Sequence, residues 1–289
     1  MTLIILLCGL GLEYFLGVLD DVRRLKWFSR YSDWLENKLV QSRYWNSAGG
    51  IILTLAGPLL LVLLIDYGLK NIFFPLSYLF ALAVLLNSIG PVFLNQSLTD
   101  YVEALDAEDD VKARHYAGEF CHAVAAPDPD KDEEEIIGRI FIEANDRLYA
   151  VIFWFIVLGP FGAMLYRLAN ILKSKHQDIH GTYADSARHL NHILNWPSTR
   201  LLALGNALAG NMIEAIEAWR DKEDGSFLVN EAILIASGFG ALHYRPKTDI
   251  QEENVDRSYW IRSSQALINR TLIVWLTVLG IMTIVGVLA

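Results

Sequence analysis

The chain has 289 residues, 53% of them hydrophobic and 20% charged, with a formal charge of −9. Its mean hydropathy of +0.30 lies between that of bare membrane helices and that of a soluble enzyme, so it must serve both lipid and water. Its two cysteines, Cys8 in an apolar run and Cys121 in a hydrophilic stretch, exclude a disulfide framework and a cysteine metal site.

Residues 1 to 19 hold one charge, Glu13, and lack both the basic start and the small-residue cleavage site of a signal peptide, so they read as a retained helix and a marginal first span. Residues 20 to 48 mix Arg23, Arg24, Lys26, Arg30, Lys38 and Arg43 with Trp27, Trp34, Tyr44 and Trp45, which suits a basic interfacial helix on the cytoplasmic side. Gly49 to Ile65 is uncharged, and Asn71 to Thr99 is a second uncharged stretch broken by Pro75, Gly90 and Pro91; a tight turn at Tyr67 to Asn71 is expected to join them. Residues 1 to 99 thus form an N-terminal group of membrane helices.

An acidic helical loop comes next, over 100 to 147. From Asp100 to Asp146 there are fifteen Asp or Glu against four Lys or Arg, a local balance of −11, which leaves the rest of the chain at +2. Such a surface excludes nucleic acid as a partner, because phosphates need clustered cations. Pro127 to Asp130 reads as a turn, and Asp132 to Glu135 supplies the acidic first turn that a helix dipole favours. Calcium-loop spacing is absent from this loop.

Leu148 to Tyr166 is a run of nineteen uncharged residues, read as a span or, because Gly159, Pro160 and Gly162 interrupt it, as a re-entrant segment. A second hydrophilic helical segment covers 167 to 267. If 148 to 166 crosses fully and nothing in 167 to 267 does, the two polar segments face opposite sides of the membrane; a re-entrant run, or entry of Val229 to Tyr244, would reunite them. Arg167, Lys173 and Lys175 favour the cytoplasmic side for the second hydrophilic segment. The last span lies in 268 to 289. The fold expected is all-α and multi-pass, with four to five transmembrane helices and hydrophilic helical segments.

Polar residues crowd both ends of the 148 to 166 run: Glu143, Asn145, Asp146 and Arg147 before it, Tyr166, Arg167 and Asn170 at and after its end. Ionisable groups at a lipid boundary mark a ligand site or merely end a span by pairing or snorkelling. The functional reading makes them a pocket for a small anionic ligand, since arginine's planar fork pairs bidentately with phosphate or carboxylate. His176 and His180, and His189 and His192, share helical faces, yet Gly181 interrupts and no HExxH pattern is present, so no metal is expected. Small residues at Gly205, Ala209 and Gly210 and at Gly49, Gly50 and Gly57 suit close helix contacts within the chain.

Three spaced blocks carry a resemblance. Glu143, Asn145 and Asp146 form the first; Gly159, Gly162, Ala163, Tyr166, Arg167 and Asn170 the second; Asn195, Trp196, Arg200 and Leu201 the third. Together they resemble the membrane family of cobalamin biosynthesis, the adenosylcobinamide-phosphate synthases called CbiB or CobD. The resemblance adds Asn195 and Arg200 to the ligand-binding set. The family's HPV and GRDT elements are missing, its L-D-S is replaced by Leu172, Lys173 and Ser174, and its paired Asp by Asn191 and His192. A carboxylate-poor site holds Mg²⁺ poorly. That pattern is similar to the AmpE proteins, a regulatory branch of the superfamily in the bacterial inner membrane. What this implies is a signalling protein that modulates β-lactamase induction by handling an envelope-derived small molecule, with no enzymatic activity, no cofactor, and a protein partner left unnamed. Two alternatives stay open: an ATP- and Mg²⁺-dependent enzyme joining a carboxylate to an amino-alcohol phosphate, and a small-solute transporter, for which the broken helix repeats are lacking.

Overall fold

The computed structural model describes residues 2–15, 25–39, 48–72, 74–90, 96–121, 132–176, 179, 181–223, 229–244 and 258–286. Every regular element among them is helical: α1 (Thr2–Phe15), α2 (Lys26–Leu39), α3 (Ala48–Ile72), α4 (Phe74–Ser88), α5 (Gln96–Asp106), α6 (Asp110–Cys121), α7 (Asp132–Ala144), a π segment (Asn145–Tyr149), α8 (Ala150–Lys175), α9 (Thr182–Ala209), α10 (Met212–Lys222), α11 (Asn230–Leu242) and α12 (Tyr259–Ile284). The all-α class expected from the uncharged runs and the helical spacing of the hydrophilic segments is therefore correct. Three helical runs among the described residues are long and apolar enough to cross a membrane, Gly49–Asn71, Glu133–Lys175 and Tyr259–Ile284, while Thr2–Glu13, Pro75–Ser88 and Asn230–Leu242 are apolar but shorter. The protein is a membrane protein by this measure. Leucines and isoleucines on α3 such as Ile52, Leu60, Leu61 and Leu64 are exposed, as are Ile273, Val278 and Ile281 on α12. Apolar surface of that extent belongs in lipid, not in water.

One expectation fails at 67 to 71. No turn forms there: α3 continues through Ile72. Lys70 pairs with Asp66 at 2.6 Å across one helical turn, and such a pair supports the helix it lies on. The long stretch from 71 to 99 is likewise shorter as a helix, since α4 ends at Ser88. The turn expected at Pro127 to Asp130, together with Arg23, Arg24, Arg43, Tyr44, Trp45 and His180, falls outside the described residues.

The chain forms two compact units. The first comprises residues 1–90, 146–196 and 283–289, the second 91–145 and 197–282. In the first, α3 packs on α4 and α8, and α1 packs on α4. Its core joins Leu25, Phe28 and Leu35 to Ile51 and Leu55 of α3, Leu168 and Leu172 of α8, and Tyr183 and Ala187 of α9. In the second, α5 packs on α6, α7 on α11, and α11 on α10. Close approach there needs bare backbone: a Cβ on Gly238 would fall 2.3 Å from the Phe141 ring and one on Gly210 2.4 Å from the Ala241 carbonyl. Of the small residues singled out in the sequence, Gly210 is thus consumed by packing within this unit.

Candidate functional site

The run from Glu133 to Lys175 is helical for 43 residues, about twice what a bilayer requires, and two irregularities shape it. The first is the π segment Asn145–Tyr149. An extra residue in a helical turn rotates the side chains after it by about 100°, and here Asp146, Leu148 and Tyr149 are buried within the same turn. The second is at Gly159, whose φ of 64° and ψ of −151° break the helix immediately before Pro160. A side chain disfavours that backbone and proline removes a donor, so the Gly-Pro pair sets the kink. The expected interruption is real, and it takes the form of a kink with helix on both sides.

Within the first unit, side chains of the π turn and of the kinked helix α8 meet those of α9. The Tyr166 hydroxyl, fully buried, lies 2.6 Å from Asn195 Oδ1 and 3.0 Å from Asp146 Oδ1. A phenol carries one proton, so those two acceptors share it. Asn195 Nδ2 donates to Asp146 Oδ1 at 3.2 Å and to Asn191 Oδ1 at 3.1 Å. Asn170 Nδ2 donates to the Asp146 backbone carbonyl at 3.5 Å, and Lys173 Nζ stands 3.9 Å from Asp146 Oδ2. Asp146 is 9% exposed and Asn195 4%. Polar groups this deep are tolerated because they bond one another, and among them only Asn191 Nδ2 is left without a hydrogen-bond partner among the described residues.

Four of the nine ligand candidates, Asp146, Tyr166, Asn170 and Asn195, therefore gather in one network. Asn191 and Lys173 complete it and are not among the candidates; the signal available was that Asn191 sits one turn before Asn195 on the same helical face. Arg147 lies in the same unit and packs its side chain against Gly90, whose amide donates to the Arg147 carbonyl at 3.1 Å. Arg167 also lies in this unit, half-buried on α8. The other three belong to the second unit. Glu143 is paired with Arg139 at 2.6 Å along α7, Asn145 is buried, and Arg200 bonds Asn230 Oδ1 at 2.5 Å and Glu223 Oε1 at 2.8 Å.

Where α8 ends, a second polar group forms in the first unit. Lys175 reaches Asp33 at 2.5 Å and Ser32 at 3.2 Å, Arg188 donates to the His176 carbonyl at 3.1 Å, and the Tyr183 hydroxyl lies 3.0 Å from Thr54 Oγ1. Burial raises the Tyr183 pKa, a rise that the Thr54 bond partly offsets.

An all-helical membrane protein whose kinked spanning helix carries a buried carboxylate–phenol–amide network is the class these features define. The sequence matches the CobD/Cbib protein family over residues 6–266, and the chain belongs to that family. Among curated proteins it is similar to the cobalamin biosynthesis protein CobD of Stutzerimonas stutzeri (strain A1501), 27% identical over 244 residues that cover 81% of this chain and 78% of the relative. It is also similar to the cobalamin biosynthesis protein CobD of Chromobacterium violaceum, 30% identical over 177 residues, 58% of this chain and 55% of that relative. No solved structure matches.

These likenesses correct two expectations. The missing synthase elements point to a regulator of β-lactamase induction, and both relatives are instead named for cobalamin biosynthesis. The same absences point to a non-enzymatic role, and the family points to a biosynthetic enzyme. Both expectations err by weighting four absent short motifs above a similarity that runs through most of the chain.

Proposed function

We propose that this chain acts in cobalamin biosynthesis as a multi-pass enzyme of the bacterial inner membrane, joining a carboxylate of a corrinoid to the amine of an amino-alcohol phosphate. The observation that carries this reading is the family match over residues 6–266. The polar network of the first unit supports this reading. Its amide and phenol groups suit orientation of a carboxylate or amine, and Arg147 and Arg167 in the same unit supply the cationic forks that suit a phosphate.

Forming an amide from a carboxylate and an amine releases the elements of water and needs the carboxylate activated, which ATP with Mg²⁺ supplies. The residues at this site do not fit the cation. Mg²⁺ takes near-octahedral oxygen ligation, usually with one or two carboxylates; Asp146 is already engaged by Tyr166 and Asn195, and no cluster of three His, Cys, Asp or Glu suited to a metal is present among the described residues. No step through the cation is therefore assigned.

The test is direct. Detergent-purified chain supplied with a corrinoid acid, an amino-alcohol phosphate, ATP and Mg²⁺ yields the corrinoid amide by mass spectrometry, with ATP consumed only when both acceptors are present. Absence of product together with absence of corrinoid binding overturns the proposal. Membership of the AmpE branch is the narrower family reading, favoured by Lys173, Asn191 and His192 standing where the synthases carry acids.

A further inference from the structure

The helix α2 offers two faces of opposite chemistry. Inward, Phe28, Ser32 and Leu35 are buried, and Phe28 and Leu35 belong to a cluster with Ile51 and Leu55 near the start of the Gly49–Asn71 span and Leu168 and Leu172 near the end of the Glu133–Lys175 span. A Cβ on Gly57 of the first of these spans would fall 2.7 Å from the Tyr31 hydroxyl. A helix that packs across the start of one span and the end of another sits at the level where lipid gives way to water.

Outward, Trp27 is 49% and Trp34 54% exposed, seven residues apart and so on one face. Lys26, Arg30 and Lys38 are exposed as well, and the Lys38 ammonium stands 4.6 Å over the Trp34 ring. The two acids of this helix, though Asp33 is 55% exposed, are engaged by the end of α8. Asp33 pairs with Lys175 at 2.5 Å and Glu36 faces the His176 ring at 3.8 Å. With both acids engaged by the end of α8, the three exposed cations outnumber them along this helix and stand beside the indoles. Indoles settle at the headgroup level, and cations held there are drawn to anionic lipid by about 1 kcal/mol each.

We propose that the outer face of α2 is a docking surface for the headgroups of anionic phospholipids, with Trp27 and Trp34 as interfacial anchors and Lys26, Arg30 and Lys38 as the headgroup-binding cations. The occupant is the bilayer's own anionic lipid. It does not depend on the reaction assigned above.

Full-length chain in nanodiscs of phosphatidylcholine, with and without phosphatidylglycerol, gives the test. Phosphatidylglycerol raises the unfolding temperature of the wild type, and high salt reduces the gain because exposed charges are screened. The Lys26→Gln, Arg30→Gln, Lys38→Gln variant unfolds as the wild type does in phosphatidylcholine but loses at least half of the gain, with affinity for the anionic lipid falling about fivefold per cation. Glycerol phosphate in solution reproduces none of it. An equal gain in wild type and variant, no gain in the wild type, or full reproduction by glycerol phosphate overturns the proposal. Should the triple variant fail to fold, Arg30→Gln alone is read by native mass spectrometry, where fewer retained phosphatidylglycerol molecules support the surface and unchanged retention refutes it.

Discussion

Both units pair partly exposed acids with cations, as Lys175 pairs Asp33 in the first, but the first also buries a carboxylate among neutral groups. In the first, Asp146 sits in a buried network whose other members, Tyr166, Asn195, Asn191 and Asn170, are neutral, with Lys173 at 3.9 Å. In the second, acids meet cations directly: Arg139 with Glu143, Arg200 with Glu223, and Arg262 with Asp106, which Ser258 also bonds at 2.8 Å. Direct ion pairs that retain access to solvent contribute little to stability and ask little of the fold. A carboxylate dissolved in neutral dipoles demands that every dipole be placed, and a ligand site makes the same demand. The buried network is why the proposal above puts the chemistry in the first unit.

The largest test of that contrast is Asp146→Leu. It leaves the Tyr166 hydroxyl with Asn195 Oδ1 and the Asn195 amide with Asn191 Oδ1, removes the acceptor those two donors and Lys173 converge on, and costs about 3 kcal/mol, read as a lowered unfolding midpoint in detergent or nanodiscs. A loss below about 1 kcal/mol would place Asp146 with the surface pairs. In the second unit, Arg200→Met removes the bonds to Asn230 Oδ1 and Glu223 Oε1, the latter able to recover water, so the loss is about 1–2 kcal/mol with corrinoid binding unchanged. An equal or greater loss than at Asp146 would erase the distinction between the units.

The smallest effect concerns alkaline pH. Burial holds the Tyr183 pKa above its ordinary value near 10. A proton bound more tightly in the folded state gives a contribution fully present below about pH 10 that is lost as pH rises through the folded value. Tyr183→Phe therefore flattens the alkaline fall of the unfolding temperature, and Tyr244→Phe does the same in the second unit, where burial and then Glu133 and Glu134 raise that phenol. Identical alkaline limbs in wild type and both variants would show that neither phenol's burial bears on stability.

Much of the fold is legible in the chain alone. Uncharged runs of span length, helical spacing in the hydrophilic segments and the Gly159–Pro160 break are local signals, because hydropathy and backbone restriction act on neighbours in sequence. The three spaced blocks are enough to place the family. A turn at 67 to 71 is the local reading that fails: polar residues there suggest a break, whereas Asp66 and Lys70 sit one turn apart and pair along the helix. The absence of short synthase elements misleads in the same way, since such motifs weigh less than similarity spread over residues 6–266.

What tertiary structure decided is which polar residues meet. Asp146 reaches Tyr166 across 20 residues and Asn195 across 49, separations that no local pattern spans. The π segment sets the angle at which Asp146 leaves its helix, and Glu143, three residues earlier, turns to Arg139 instead. Composition and order along the chain set the supply of polar side chains at the ends of a span; helix rotation and packing, which depend on the whole chain at once, choose the few that share a buried space.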